Sequence, residues 1–343
     1  MILFDITKSA SVRHRSGLAR MSKRLRDELG ASASALAWTE ARDRAKAGDW
    51  FVTAELFSEI ERPGFGAFVR SRSCRTAAIF LDAIPMKHPH ITWPNSVARH
   101  PGYMKMLAAF EQVWAISAAS REELVGYWRW LGLKETPPVE VLPLGADFDR
   151  RPRVTDRAAR HSGPPALLCV GILEPRKNQM LLLDACATLW AEGMVFDLNI
   201  VGRVNPHFGA PMVARIRSLQ KKFPGLRYHQ AATDAVLSRL YAEARATVCP
   251  TIAEGCGLPL VESLWRGVPC VCSDLPVLRE NADGGGCLMA AVDDRGAWRE
   301  ALRSVLTDDA LHARLSQEAV TRDLPTWSAT AAKLRAGLAG DRP

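Results

Sequence analysis

The feature that most restricts the fold is an alternation, run through twice, of short apolar runs with helix-length segments. In the first half the runs are Ile2 to Ile6, Ala35 to Trp38, Trp50 to Val52, Ala77 to Leu81, Val113 to Ile116 and Val139 to Leu142. In the second half they are Ala166 to Val170, Phe196 to Val201, Leu226 to Tyr228, Ala246 to Cys249, Val268 to Val271 and Gly286 to Met289. Segments such as Gly17 to Leu29 and Gly102 to Phe110 lie between them. Short, near-continuous apolar runs separated by helices predict an α/β chain whose parallel strands are covered on both faces. Ligands of such sheets bind outside the carboxyl ends of the strands, so the residues just after each run are the ones to inspect.

The alternation breaks between Gly145 and Pro165, where Arg150, Arg151, Arg153, Pro164 and Pro165 mark a linker. A chain of 343 residues holds two domains, each able to bury its own core. A final helix is expected to start at Pro325-Thr326-Trp327 and run through Leu338. Ser120-Arg121-Glu122-Glu123 reads as a capping box, Asp234 as a helix N-cap, and Gly284-Gly285-Gly286 as a mobile turn.

Composition narrows the partners. A formal net charge of +8 points to anions: nucleotide phosphates, nucleic acid or an acidic membrane surface. Arg13, Arg15, Arg20, Lys23, Arg24 and Arg26 form a basic cluster that is either a docking face or a solvated helix face. The eight cysteines contain no Cys-x-x-Cys pair and fall mostly in apolar runs, which favours a reducing compartment over a disulfide framework or a zinc site. Lys87-His88-Pro89-His90 offers two imidazoles and no third ligand, a poor metal site. The chain opens directly as a strand, with no signal-peptide pattern and no apolar run long enough to span a bilayer, so a cytoplasmic location is expected. Neither a Gly-x-Gly-x-x-Gly nor a Walker lysine loop occurs.

The richest candidate site is Thr251 to Glu262. Gly255, Cys256, Gly257 and Leu258 follow a strand and lead, through Pro259, into a helix. Free amides and the positive helix end there make an anion site. Glu254 precedes the loop, and Glu262 sits roughly 6 Å up the helix axis. The same pattern also fits any strand–loop–helix unit with two solvated glutamates. In the second half, Gly171 follows the first strand and leads to Arg176 and Lys177, a planar fork and a mobile point charge suited to a diphosphate. In the first half, Asp82 follows the Ala77 to Leu81 strand and is either a ligand-facing carboxylate or a turn residue. Gly17 opens a helix after the first strand.

Three of these segments carry a resemblance. Glu254 to Glu262 matches the Glu-x7-Glu motif of retaining glycosyltransferases of family four, and Glu174-Pro175-Arg176-Lys177-Asn178 matches that family's cation loop. Gly267 to Pro276 is family-like as well, and the likeness runs from the first strand to Trp327. Mannosyl- and rhamnosyltransferases of bacterial polysaccharide biosynthesis are the members it resembles most. The resemblance implies a GT-B fold, two Rossmann-like domains with sheets facing across a cleft. Residues 1–160 would take the acceptor, 161–324 the nucleotide sugar, and helix 325–343 would return to the first domain. It implies transfer of a hexose, mannose first, from a nucleotide diphosphate sugar to a saccharide or lipid-linked saccharide, with retention. Arg176, Lys177 and the amides of Gly255 to Leu258 would hold the diphosphate without a metal or other cofactor. Glu254 would hold sugar hydroxyls, Glu262 the ribose and Asp82 the acceptor, while Gly17 and Gly171 would border the donor. Leu81 stands where many members carry an aromatic residue or His, so that role does not transfer. Nucleic acid is not an implied partner; peripheral contact with the inner face of the cytoplasmic membrane is. The alternatives are a GT-B epimerase, an inverting transferase, or a sugar-nucleotide binding protein without turnover.

Overall fold

Each half of the chain builds one six-stranded parallel sheet. In the first half the strands are β1 (Ile2–Asp5), β2 (Ala33–Leu36), β3 (Trp50–Thr53), β4 (Arg75–Phe80), β5 (Gln112–Ala115) and β6 (Val139–Val141), in the order β2-β1-β3-β4-β5-β6. Every residue of β1, β3 and β5 is buried, which explains why these strands read as unbroken apolar runs. In the second half they are β7 (Ala166–Val170), β8 (Asp197–Val201), β9 (Leu226–His229), β10 (Ala246–Cys249), β11 (Cys270–Ser273) and β12 (Cys287–Ala290), in the order β12-β11-β10-β7-β8-β9. The computed structural model describes residues 1–10, 17–156 and 163–340. Two units result: Met1–Phe148 with Pro325–Pro343, and Asp149–Leu324. Arg13 and Arg15 of the basic cluster, and part of the linker, lie outside the described residues.

Strand order fixes where each sheet opens. In the first unit the direction of winding reverses between β1 and β3, and in the second between β7 and β10. At such a switch point the loops from two neighbouring strands diverge and leave a crevice at their carboxyl ends.

Several local expectations change. Trp38 does not end a strand; β2 stops at Leu36 and Trp38 begins the helix Trp38–Arg44. Its indole instead meets Phe65 edge-on at 5.5 Å in the first core, a favourable aromatic geometry. The helix expected at Gly102 starts earlier, as Pro94–Leu107, with Pro94 in its first turn and Pro101 inside it. β11 begins at Cys270 and not at Val268. The capping box at Ser120 is displaced: Ser117 is the N-cap and accepts from Ser120 N–H at 3.0 Å, while Ser120 Oγ donates to the Leu81 carbonyl at 2.7 Å. Thr233, and not Asp234, caps the helix Asp234–Glu243 by accepting from Val236 N–H. The three-glycine turn is clamped. Gly286 N–H donates to Glu318 at 2.8 Å, and Arg322 donates to the Gly285 carbonyl at 2.7 Å.

The last helix, Trp327–Ala339, is capped by Thr326 and packs on the helix Gly17–Leu29 within the first unit. Trp327 is fully buried, its ring edge-on to Phe148 at 4.8 Å and its backbone N–H donating to Asp147 at 2.7 Å. A Cβ on Gly145 would lie 2.2 Å from Trp327 N, so this contact admits no side chain there. The basic helix it covers is partly neutralised. Arg24 is buried and pairs with Glu28 and with Asp147 at 3.1 Å, and Lys23 pairs with Asp27 at 2.7 Å. Trp327→Ala should destabilise the first unit by about 3–5 kcal/mol, the usual cost of emptying a large aromatic site. Urea unfolding followed by tryptophan fluorescence checks this, and a loss below about 1 kcal/mol would show that the helix is not part of that core.

Candidate active site in the second unit

The site grows out of β7. Gly171, just past the strand, donates its N–H to the Val201 carbonyl at 2.9 Å, and its own carbonyl lies against Gly202 so closely that a Cβ there would be 1.8 Å away. Leu173 N–H donates to Arg203 at 2.9 Å and Asn205 N–H donates to Leu173 at 3.1 Å, extending the β7–β8 pairing beyond the sheet edge. The chain then makes a single tight turn, Pro175–Lys177, closed by Asn178 in the left-handed conformation at φ 52°. The Asn178 amide donates to Asp293 at 2.8 Å. Gln179 is fully buried and its amide donates to the Ile172 carbonyl at 2.9 Å. The two cations thus leave a loop that is tied at both ends.

The loop after β10 is joined to this one. Ile252 N–H donates to the Arg176 carbonyl at 2.9 Å, and the Thr251 hydroxyl lies 3.0 Å from that same carbonyl and 2.9 Å from the Ala253 carbonyl. Arg176 Nη1 donates to the Ala253 carbonyl at 2.9 Å and stands 3.2 Å from Glu254 Oε2. Lys177 Nζ donates to the other oxygen, Glu254 Oε1. Arg176 is also gripped from behind by Glu174, at 3.0 Å from Nε and 2.8 Å from Nη2, and Glu174 in turn accepts from Asn205 at 3.1 Å.

The carboxylate of Glu254 therefore sits between two cations. Burial alone would push its pKa up, but the charges of Lys177 and Arg176, with hydrogen bonds from Lys177 and Thr251, outweigh burial and hold it down at about 2. The Arg176 and Lys177 side chains keep 21% and 14% of their surface exposed, enough for a ligand to reach them.

Past Glu254 the backbone turns into the helix Leu258–Trp265 through Gly257, which is left-handed at φ 73°. A Cβ on Gly257 would meet Leu278 at 2.5 Å, so both conformation and space require glycine. Asn281 donates to the Cys256 carbonyl and holds the turn. Pro259 falls in the first turn, where its missing N–H costs no bond, Leu260 N–H donates to the Gly257 carbonyl at 3.0 Å, and the helix end is positive. Glu262 lies one turn further and is buried at 6% exposure.

Gly171, Arg176, Lys177, Glu254, Gly255, Cys256, Gly257, Leu258 and Glu262 thus come from the loops and helix starts that follow β7 and β10, the two strands at the switch point of the second unit. Gly17 and Asp82 belong to the first unit. Gly17 opens its helix with nothing within 4 Å of the place a Cβ would take. Asp82 follows β4, accepts from Ile84 N–H at 3.0 Å, and has its carbonyl 2.9 Å from His100 Nε2. Sequence reasoning gave no role to Glu174, Thr251, Asn205 or Gln179. Only Glu174 carried a signal, as an acid two residues before Arg176. No group of three or more metal-ligating side chains occurs among the described residues, and His88 and His90 stand 6.3 Å apart.

Residues 164–308 match the sequence model of the family described as "Glycosyl transferases group 1". The matched segment lies within the second unit. Among curated proteins, the chain is 29% identical over 248 residues to the serotype-specific mannosyltransferase WbdA of Escherichia coli, covering 67% of this chain and 29% of that one. It is 36% identical over 139 residues to the O-antigen chain mannosyltransferase RfbU of Salmonella typhimurium, covering 40% of this chain and 37% of that one. The chain spans less than two-fifths of the length of these relatives. Among solved structures, sucrose-phosphate synthase from Thermosynechococcus elongatus matches with a TM-score of 0.74 at 16% identity over 99% of both chains. Anabaena Alr3699/HepE, solved with UDP and glucose, matches with a TM-score of 0.72 at 12% identity over 99% of both. At these identities the likeness speaks for the fold alone, and that fold is GT-B, as the resemblance to family four implied.

The electrostatics give a pH test. A carboxyl held at about 2 in the folded chain, against an ordinary value of 4.5, binds fewer protons than in the unfolded chain, so its contribution to stability is complete above pH 4.5 and is lost as pH falls towards 2. Melting curves of the wild type and of Glu254→Gln should therefore converge across that window. A constant offset at every pH would show that the Glu254 carboxylate is not held by the two cations.

Proposed function

We propose that the chain is a retaining glycosyltransferase that moves a hexose, mannose first, from a nucleotide diphosphate sugar to a hydroxyl of a saccharide or lipid-linked saccharide in surface polysaccharide assembly. The observation that carries this reading is the meeting of Arg176 and Lys177 with Glu254 at the β7/β10 switch point, inside the segment that matches the family. The mannosyltransferases among the relatives supply the first choice of sugar, and GDP-mannose the first choice of donor.

In this reading the donor diphosphate takes over the two cations that Glu254 pairs with. Arg176 and Lys177, with the amides around Cys256 to Leu258, then stabilise the charge that grows on the leaving phosphate, in place of a metal ion. Glu254, released from the cations, turns to the sugar hydroxyls, and Glu262 meets the ribose. The bond from the anomeric carbon to the phosphate oxygen breaks as a bond to the acceptor oxygen forms on the same face. The acceptor proton passes to the leaving phosphate, so no separate base is required. The first unit takes the acceptor, with Asp82 as the carboxylate for its hydroxyls. A cytoplasmic site of action, with peripheral contact at the inner face of the membrane, belongs to the same proposal. Arg20, Lys23 and Arg26 would make that contact, since Arg24 is buried.

A thermal-shift series of nucleoside diphosphates and their sugars is the direct test. A ligand at 100 times its dissociation constant adds about 2.7 kcal/mol to the folded state, a shift that is easily read. If no member of the series raises the melting temperature, the reading fails. Lys177→Ala and Glu254→Ala should each lower transfer on the order of a hundredfold or more while leaving the melting temperature of the first unit in place. Glu254→Gln should separate the two roles of that residue. Nucleoside diphosphate binding is retained or tightened, because the competing carboxylate is gone, while transfer falls. Weaker nucleoside diphosphate binding in Glu254→Gln would argue against the exchange of partners.

A further inference from the structure

The first unit has a charged cluster at its own switch point that the proposed reaction does not use. Asp5 ends β1, Glu55 follows β3, and Arg62 reaches back to both. Arg62 Nη1 donates to Asp5 Oδ2 at 2.7 Å and its Nη2 donates to Glu55 Oε2. Asp5, Arg62 and Glu55 are 0%, 1% and 4% exposed, so all three charges are withdrawn from water. The guanidinium also lies 5.2 Å from the Phe65 ring centre and 5.8 Å from that of Phe57. Thr53 completes the Asp5 shell by donating to Oδ2 at 2.7 Å.

The unused sides of these carboxylates hold backbone. Thr7 N–H donates to Asp5 Oδ1 at 3.0 Å, Lys8 N–H to Glu55 Oε2 at 2.7 Å, and Ser9 N–H to Glu55 Oε1 at 2.7 Å. Ala10 N–H closes on the Ile6 carbonyl at 2.9 Å. Four consecutive amides of the segment after β1 are thereby taken up, three of them by carboxylates that Arg62 orients. Apolar packing of equal volume would stabilise a sheet edge at least as well as a buried ion cluster. What charges add is a fixed direction for each amide, set by donor–acceptor geometry.

We propose that Glu55 and Arg62 are positioning residues that hold the segment Thr7–Ala10 in the conformation needed to receive the acceptor. The proposal rests on the glycosyltransferase reading and on the acceptor's belonging to the first unit. The segment leaves the carboxyl end of β1, beside β3, which is where a doubly wound sheet offers its crevice. Glu55→Gln keeps the shape but leaves one side-chain oxygen to accept from two amides and removes the charge facing Arg62. Arg62→Lys keeps the charge but loses the fork that reaches both carboxylates, and serves if Glu55→Gln does not fold.

The test compares the full-length wild type and both variants in two measurements. One is amide hydrogen exchange over residues 6–10; the other is steady-state transfer from GDP-mannose, or the nucleotide sugar that the thermal-shift series selects, to octyl mannoside. Faster exchange at Thr7, Lys8 and Ser9, with acceptor KM raised about tenfold and donor KM within about twofold of wild type, supports the assignment. Faster exchange with an unchanged acceptor KM overturns it, because the cluster then only braces the fold; so does unchanged exchange. A wild-type chain that transfers to no acceptor overturns the glycosyltransferase reading and this inference with it, whereas an active wild type beside unaffected variants overturns this inference alone.

Discussion

The second unit is organised around one ionic arrangement, a part-buried carboxylate held between an ammonium and a guanidinium. Two loops from neighbouring strands must arrive at the same place for Glu254 to meet Lys177 and Arg176. The Ile252 N–H and the Thr251 hydroxyl, which both meet the Arg176 carbonyl, tie the two loops together there. Burial strengthens the Coulomb attraction but would leave any member of the group alone at a heavy cost, so the three charges must be present together or not at all. The two cations consequently frame a place shaped for an anion, which the Glu254 oxygens occupy.

Close backbone approach, more than side-chain chemistry, makes this possible. Gly171 and Gly202 touch where β7 and β8 leave the sheet, and Gly257 turns the chain under Leu278 into the helix that presents its amides. A Cβ at Gly202 would run into the Gly171 carbonyl, and one at Gly257 would sit against Leu278 on a left-handed backbone. Glu174 adds a second restraint. It holds Arg176 from the side away from Glu254, so the guanidinium is fixed in direction while part of its surface remains open.

Much of this was legible in the amino-acid sequence, for physical reasons that differ from part to part. Strands buried on both faces have no polar side, so β1, β3, β7 and β10 announce themselves as apolar runs. The cation loop and the carboxylate loop were legible because their residues are contiguous within each loop. Caps were less legible. Ser117 and Ser120 are both good N-cap residues three apart, and the choice of Ser117 depends on the Leu81 carbonyl that draws Ser120 away. Trp38 reads as the end of an apolar run, yet the aromatic core beneath it pulls it into a helix. The cluster of Asp5, Glu55 and Arg62 could not be found at all, since its members come from separate turns and none has a telling neighbour in the chain.

The two switch points use the same ingredients in different proportions, and the difference in exposure indicates what each can do. In the second unit two cations meet the central carboxylate of Glu254, with Glu174 holding Arg176 as well, and both cations keep some surface in contact with solvent, so an incoming anion can compete for them. In the first unit two carboxylates enclose one guanidinium that keeps almost none. Arg62 has no surface left to offer a ligand, and the carboxylates have committed their outer oxygens to backbone amides. A cluster this deeply buried cannot itself be a binding site, but it can set the shape of the segment that hangs from it. Geometry of that kind is what a transfer reaction needs on the acceptor side, where the hydroxyl must arrive along one direction and where small displacements carry large penalties in rate.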